Sequence, residues 1–212
     1  MARYHGDMGL PVEKRRYTIA EYLQLEEASE VRHEFHDGEI LAMSGGTVWH
    51  SRINGNTMIS VGQRLKGKPC FLLDSNMRVR IPPLRSYVYP DISFVCGRAE
   101  FDLDDPKKTT IINPRAIVEV LSDSTERYDR GVKFDLYRQI PSLQEYILVS
   151  QTQPLIETFF RQTAGAWLFN AWKGLQTVVR IRSLEIDLPL ADVYSGVEFE
   201  QPPPTANLDR PI

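Results

Sequence analysis

Residues 117–137 read IVEVLSDSTERYDRGVKFDLY. The run opens as a strand, and a period of two puts Ile117, Glu119 and Leu121 on one face. Ala116, Val118 and Val120 take the other. A Ser/Asp/Ser/Thr turn follows, in which Ser122 is suited to satisfy the turn backbone. Ser124 or Thr125 then caps a helix that ends before Pro141. On a helical wheel Tyr128, Val132, Leu136, Tyr137 and Ile140 define an apolar arc, and Asp129 and Lys133 fall inside it. Arg127, Gly131, Asp135 and Arg138 lie opposite. An exposed Asp129–Lys133 pair would be worth only ~0.3–0.5 kcal/mol. That accounts for the spacing but not for the apolar side. A lysine on this arc can reach back to the strand that carries Glu119. Buried charge persists only when it is paired or bound to a metal, so Glu119, Asp129 and Lys133 form one question.

A second acid in apolar company lies upstream, Asp91 in YVYPDISFV. Around it the short runs CFLLDSN and MRVRI also read as strands, broken by Pro82-Pro83. Nearer the N-terminus, Thr18 with Glu21 is a capping box that opens a helix reaching about Ser29. In HEFHDGEILAMSG, Asp37-Gly38 marks a two-residue hairpin turn, and Glu34 sits on its first arm. Thr47 to Lys66 reads as a second helix whose wheel places His50, Asn54, Met58, Val61 and Leu65 on one face. Residues 97–114 are rich in acids and lysines and read as a surface excursion. After the Lys133 helix come EYILV, LIETFF, AWLFNAW and TVVRI, with Gly165 and Gly174 at the expected hairpin turns. Helix, hairpin, helix, strands, helix, strands is an α+β order (α/β-like), with a mixed central sheet flanked by helices.

The chain has 212 residues and a formal net charge of −3. The length suits one domain, here 17–200, between a loose arm at 1–16 and a Pro-rich tail at 201–212. The charge argues against a nonspecific nucleic-acid coat, which needs many cations. Cys70 and Cys96 sit in apolar runs with no metal-binding spacing and are expected as free buried thiols. No signal segment or run of ~20 apolar residues appears. A cytoplasmic, reducing setting without membrane contact is therefore expected.

Two acids and a lysine of this kind suit metal-assisted phosphodiester hydrolysis. Asp91 and Glu119 would hold Mg²⁺ or Mn²⁺ through oxygen, and Lys133 would position the attacking water. Glu34 would add a third acid. His50 is a candidate substrate or supporting contact, Asp129 a partner of Lys133, and Tyr137 a packing residue with a hydrogen bond to give.

The order Pro90-Asp91, Glu119, then a lysine resembles the PD-(D/E)XK nuclease superfamily. The segments HEFHDGEILAMSG, HSRINGN, YPDISFV and IVEVLSDSTERYDRGVKFDLYRQIPSLQEYILV are similar to the Uma-two family of restriction-endonuclease-like proteins, over roughly 17–195. The resemblance implies a restriction-endonuclease-like core with extra C-terminal strands. It implies that fold and the metal site better than a substrate; the expected reading is an endonuclease that cleaves DNA phosphodiesters. The superfamily pattern has a lysine two residues after the second acid, where this chain has Leu121. Lys133 looks like its migrated substitute, as the family pattern also implies. A homodimer would match the symmetry of duplex cleavage. The contrasting expectation is an inactive nuclease-fold module that binds nucleic acid or regulates.

Overall fold

The computed structural model of the protein describes residues 15–43, 45–122, 125–163 and 165–199. The first helix, α1 (Ile19–Ala28), starts on the expected capping box: Glu21 N donates to Thr18 Oγ1 at 3.2 Å, and Thr18 N donates to Glu21 Oε2 at 2.8 Å. The hairpin of β1 (His33–His36) and β2 (Glu39–Ala42) turns at Asp37 and Gly38, whose φ values of 42° and 97° are what a primed turn requires. Helix α2 (Val48–Arg64) follows, with Thr47 as its cap.

Then come β3 (Cys70–Asp74), β4 (Arg78–Ile81), β5 (Ser86–Val88), β6 (Ile92–Cys96), β7 (Thr110–Ile111) and β8 (Ala116–Leu121). The helix after β8 has three parts: α3 (Glu126–Tyr128), a π turn (Asp129–Lys133) and α4 (Phe134–Tyr137). The chain continues through β9 (Glu145–Ser150), β10 (Leu155–Arg161), β11 (Trp167–Lys173), β12 (Val178–Ile181), β13 (Ile186–Pro189) and α5 (Leu190–Val193).

The strands build a six-stranded sheet in the order β11-β10-β9-β8-β6-β3 and a five-stranded sheet in the order β2-β1-β5-β4-β7, with β12 and β13 as a separate pair. Among the described residues only β8 with β9 and β4 with β7 pair parallel, so both larger sheets are mixed. The fold is α+β, as the order of elements predicts. The helix of residues 126–137 is the crossover that a parallel β8–β9 pair needs.

Every residue of β8 and β9 is buried, which explains their continuous apolar runs. On β8 the period of two holds. Ala116, Val118 and Val120 join Ile53 and Val61 of α2 in one core. Ile117 and Leu121 join Tyr137, Ile140 and Tyr146 in another. Each such aliphatic side chain contributes about 1.5–3 kcal/mol of burial, and Glu119 interrupts the second core.

Four expectations are corrected. Residues 97–114 are not a plain surface excursion. They include β7, and their Asp105 and Asp102 are buried as partners of Arg78 and Arg80 on β4. Two arginines on an inner strand need acids, and this segment supplies them. Cys70 and Cys96 are not free thiols: they face each other in the β3–β6 ladder and form a disulfide. Their separation along the chain hid that register, and the pair gives no ground for a reducing setting. Gly174 does not close a hairpin, because β11 and β12 belong to different sheets. Val132 points outward, 53% exposed, because the π turn rotates this stretch off a uniform wheel.

Arg16 of the supposed loose arm is tied down, donating to Asp37 O at 2.7 Å. Arg15 of the same arm donates to Glu21 Oε1 at 3.2 Å. Residues 1–14, the tail and the candidate cap Ser124 lie outside the described residues, and Thr125 caps with no side-chain capping hydrogen bond. Among the described residues no helix is long and apolar enough to cross a membrane.

Candidate active site

The chain crosses from one large sheet to the other at Pro90-Asp91, between β5 and β6. This places Asp91 against the middle of β8. Asp91 N approaches Glu119 Oε2 at 3.4 Å, and Val120 N donates to Asp91 Oδ2 at 2.7 Å. The same Oδ2 lies 3.1 Å from His50 Nε2 in the first turn of α2. That hydrogen bond holds the His50 imidazole above its ordinary pKa, against the effect of burial.

Glu119 is 2% exposed. Its Oε1 accepts from Lys133 Nζ at 3.0 Å and from the Tyr137 hydroxyl at 2.6 Å. Burial pushes its carboxyl up to about 8, helped by the nearby Asp91 and Asp129 and opposed by Lys133 and Tyr137. Lys133 is 7% exposed, with Asp129 Oδ1 at 3.3 Å and Glu34 Oε1 at 3.6 Å as further partners. Burial works against its charge, but these three carboxylates hold its pKa well above the ordinary lysine value.

Glu34 comes from the other sheet. Tyr89 N donates to its Oε1 at 3.4 Å, the Tyr128 hydroxyl reaches its Oε2 at 3.1 Å, and His36 Nε2 lies 3.4 Å from the same oxygen. Burial alone would raise its pKa; Lys133 and His36 outweigh that and draw it down to about 2. Burial raises Asp129, whose Oδ1 is sealed from solvent without a well-aligned hydrogen bond.

The structure therefore brings together every residue singled out from the sequence. Asp91, Glu119, Lys133, Glu34, Asp129 and His50 all line one cleft of about 330 Å³. Tyr137 does not line it; it stands behind Glu119. Among the described residues four carboxylates face one ammonium; burial first, and the neighbouring carboxylates second, raise Glu119 and Asp129. Among the described residues no group of three or more His, Cys, Asp or Glu side chains converges as a metal-holding set. The donor set that fits a hard cation is the pair Asp91 and Glu119, since Mg²⁺ is commonly held by one or two carboxylates plus waters. The open cleft leaves room for those waters.

The family model described as "Uma2: Putative restriction endonuclease" matches residues 19–191 of the chain. The chain belongs to the Uma2 family. Two Synechocystis proteins are similar to this Uma2 chain. Uncharacterized protein slr1290 is 37% identical over 180 residues, covering 84% of the chain and 92% of the relative. Uncharacterized protein sll1609 is 32% identical over 169 residues, covering 80% and 94%. The crystal structure of "a putative nuclease belonging to DUF820" from Anabaena variabilis superposes with a TM-score of 0.67 at 17% identity, covering 84% of the chain and 98% of that protein. That likeness establishes the nuclease-like fold.

Tyr128 lines the cleft and His36 stands behind Glu34, and the sequence reading marks neither. Tyr128 falls on the apolar arc of the wheel, and its hydroxyl bridges Glu34 to His36 Nε2, 2.8 Å away. His36 follows Glu34 by two residues on the same strand. That spacing puts both on one face and could have signalled it.

Proposed function

We propose that the protein is a metal-dependent endonuclease that hydrolyses DNA phosphodiester bonds. The observation that carries this reading is the convergence of Asp91, Glu119 and Lys133, distant in sequence, on one cleft, with Lys133 Nζ 3.0 Å from Glu119 Oε1. Family membership adds a nuclease-like scaffold. In this reading Asp91 and Glu119 hold Mg²⁺ or Mn²⁺. When bound, the ion offsets charge on the scissile phosphate and lowers the pKa of a bound water. Lys133 takes the part of the strand lysine replaced by Leu121: its ammonium orients the attacking water and adds positive charge beside the phosphate. Asp129 and Glu34 keep that ammonium in place from two sides. The same reading takes the protein as a cytoplasmic homodimer of one nuclease domain over residues 17–200, which size-exclusion chromatography with light scattering checks in part.

The test is cleavage of supercoiled and linear DNA, with RNA in parallel, in Mg²⁺, Mn²⁺ or EDTA. Activity should need the cation and disappear in Asp91→Ala and Glu119→Ala. Activity that survives both changes comes from a contaminant, and the reading then fails. One observation favours a second reading, an inactive nucleic-acid-binding module. Lys133 already has three carboxylate partners, so its charge could be purely structural. DNA binding without cation-dependent cleavage selects that reading.

A further inference from the structure

Gly46 precedes the cap of α2. A Cβ built on it would stand 2.8 Å from His50 Nδ1 and 3.2 Å from His50 Cγ. Unbonded heavy atoms settle at about 3.5–4.0 Å, so the ring could not stay where it is. Gly46 is not among the residues with positive φ. Alanine there meets no backbone strain, only the imidazole. The neighbouring Gly45 has nothing within 4 Å of its ideal Cβ. Of these two adjacent glycines, Gly46 is the one whose Cβ would meet His50.

The residue is held elsewhere as well. The His50 backbone N donates to Thr47 Oγ1 at 3.1 Å, and Thr47 Oγ1 donates to Gln151 Oε1 at 3.0 Å, which ties the first turn of α2 to the residue after β9. His50 Nε2 and Val120 N together occupy Asp91 Oδ2. Among the described residues Asp91 Oδ1 takes no hydrogen bond. One oxygen of this carboxylate is anchored from two elements, and the other is left for a ligand.

We infer that Gly46 and His50 are positioning residues: the missing side chain of Gly46 seats the His50 ring, and the ring holds Asp91 with Oδ1 free for a divalent cation. The cation half rests on the reading of Asp91 as a metal ligand. Partners that orient metal ligands in this way typically change affinity by about 10–100-fold when removed.

The experiment measures Mn²⁺ affinity by electron paramagnetic resonance on the full chain. Gly46→Ala and His50→Ala should each weaken binding about tenfold, and Gly45→Ala should not. The double variant should bind no more weakly than His50→Ala, because the clash vanishes with the ring. Losses that add, or equal effects of the two glycine changes, overturn the inference. A Gly46→Ala variant that fails to fold while the double variant folds supports it.

A second readout needs no metal. The ring ¹⁵N resonances of His50 should move in Gly46→Ala and Asp91→Asn and stay put in Gly45→Ala. A His50 signal indifferent to Gly46→Ala overturns the seating outright. If the parent protein binds no Mn²⁺, or binds it equally well in Asp91→Ala, the nuclease reading fails and the cation half falls with it. The metal-free spectrum still decides the seating.

Discussion

Lys133 Nζ lies 3.0 Å from Glu119 Oε1 on β8 and within 3.6 Å of two further carboxylates, Asp129 on its own π turn and Glu34 on β1. Removing the ammonium leaves those acids buried without a cation. Lys133→Met, similar in volume, should therefore destabilise the fold by about 3–5 kcal/mol near neutral pH, the usual result of breaking a buried pair. Part of that loss should return on acidification, as the stranded acids take up protons. Urea unfolding at two pH values checks this, and an unchanged midpoint would mean that Lys133 is not the structural counter-charge.

Glu119 contributes a pH dependence with a definite sign. Its folded pKa is about 8 against an ordinary 4.5. Between those values the folded protein keeps a proton that the unfolded chain releases. Its contribution to stability is thus highest below pH ~4.5 and declines as pH rises towards 8. Glu119→Gln should flatten that part of the curve in metal-free buffer. Melting temperatures of both proteins from pH 5 to 9 provide the test; parallel curves rule out a raised Glu119.

Tyr137→Phe removes a 2.6 Å hydrogen bond from a buried carboxylate without changing the ring. A loss of about 1–3 kcal/mol is expected. Because the hydroxyl steadies the charged form of Glu119, its removal should also move the pH-dependent decline to higher pH. A pure packing role for Tyr137 predicts neither change, and paired pH–melting curves separate the two.

The second buried ion pair serves as a control. Arg78 Nη2 lies 3.3 Å from Asp105 Oδ2, an oxygen that also accepts from the hydroxyls of Thr109 and Thr110 at 2.7 and 2.8 Å. Asp105→Ala should cost about 3–5 kcal/mol and leave Mn²⁺ affinity as it was. Chemical unfolding and a Mn²⁺ titration on the same sample check both halves. Altered affinity would tie this network to the cleft.

What the sequence revealed depended on the physical kind of each signal. The alternation on β8 was plain because a strand's period is strict: Ile117 and Leu121 went to one core and Val118 and Val120 to the other. Asp37-Gly38 was legible because few dipeptides accept positive φ twice. Asp91, Glu119 and Lys133 stood out as charges in apolar surroundings. Val132 was misread because a wheel assumes one pitch, and no residue type announces a π turn. The disulfide is hidden because it depends on register between β3 and β6, and the Arg78–Asp105 pair because Asp105 sits in the loop before β7, whose path back to β4 local pattern does not encode. Tyr128 falls on the apolar arc of the wheel, and a wheel does not show that its hydroxyl reaches Glu34 in the cleft.

Glu34 arrives on one large sheet and Glu119 on the other, and Lys133 holds both. The cluster is therefore a product of docking between the sheets and belongs to neither alone. During synthesis β1 emerges well before β8 and the helix that follows it. A nascent chain that has made only its N-terminal hairpin has one acid of the set and no lysine to steady it. The full cluster thus assembles late and all at once. On the nuclease reading proposed above, a half-built molecule would pose little hazard to the nucleic acid around it, because assembly itself would act as the safety catch.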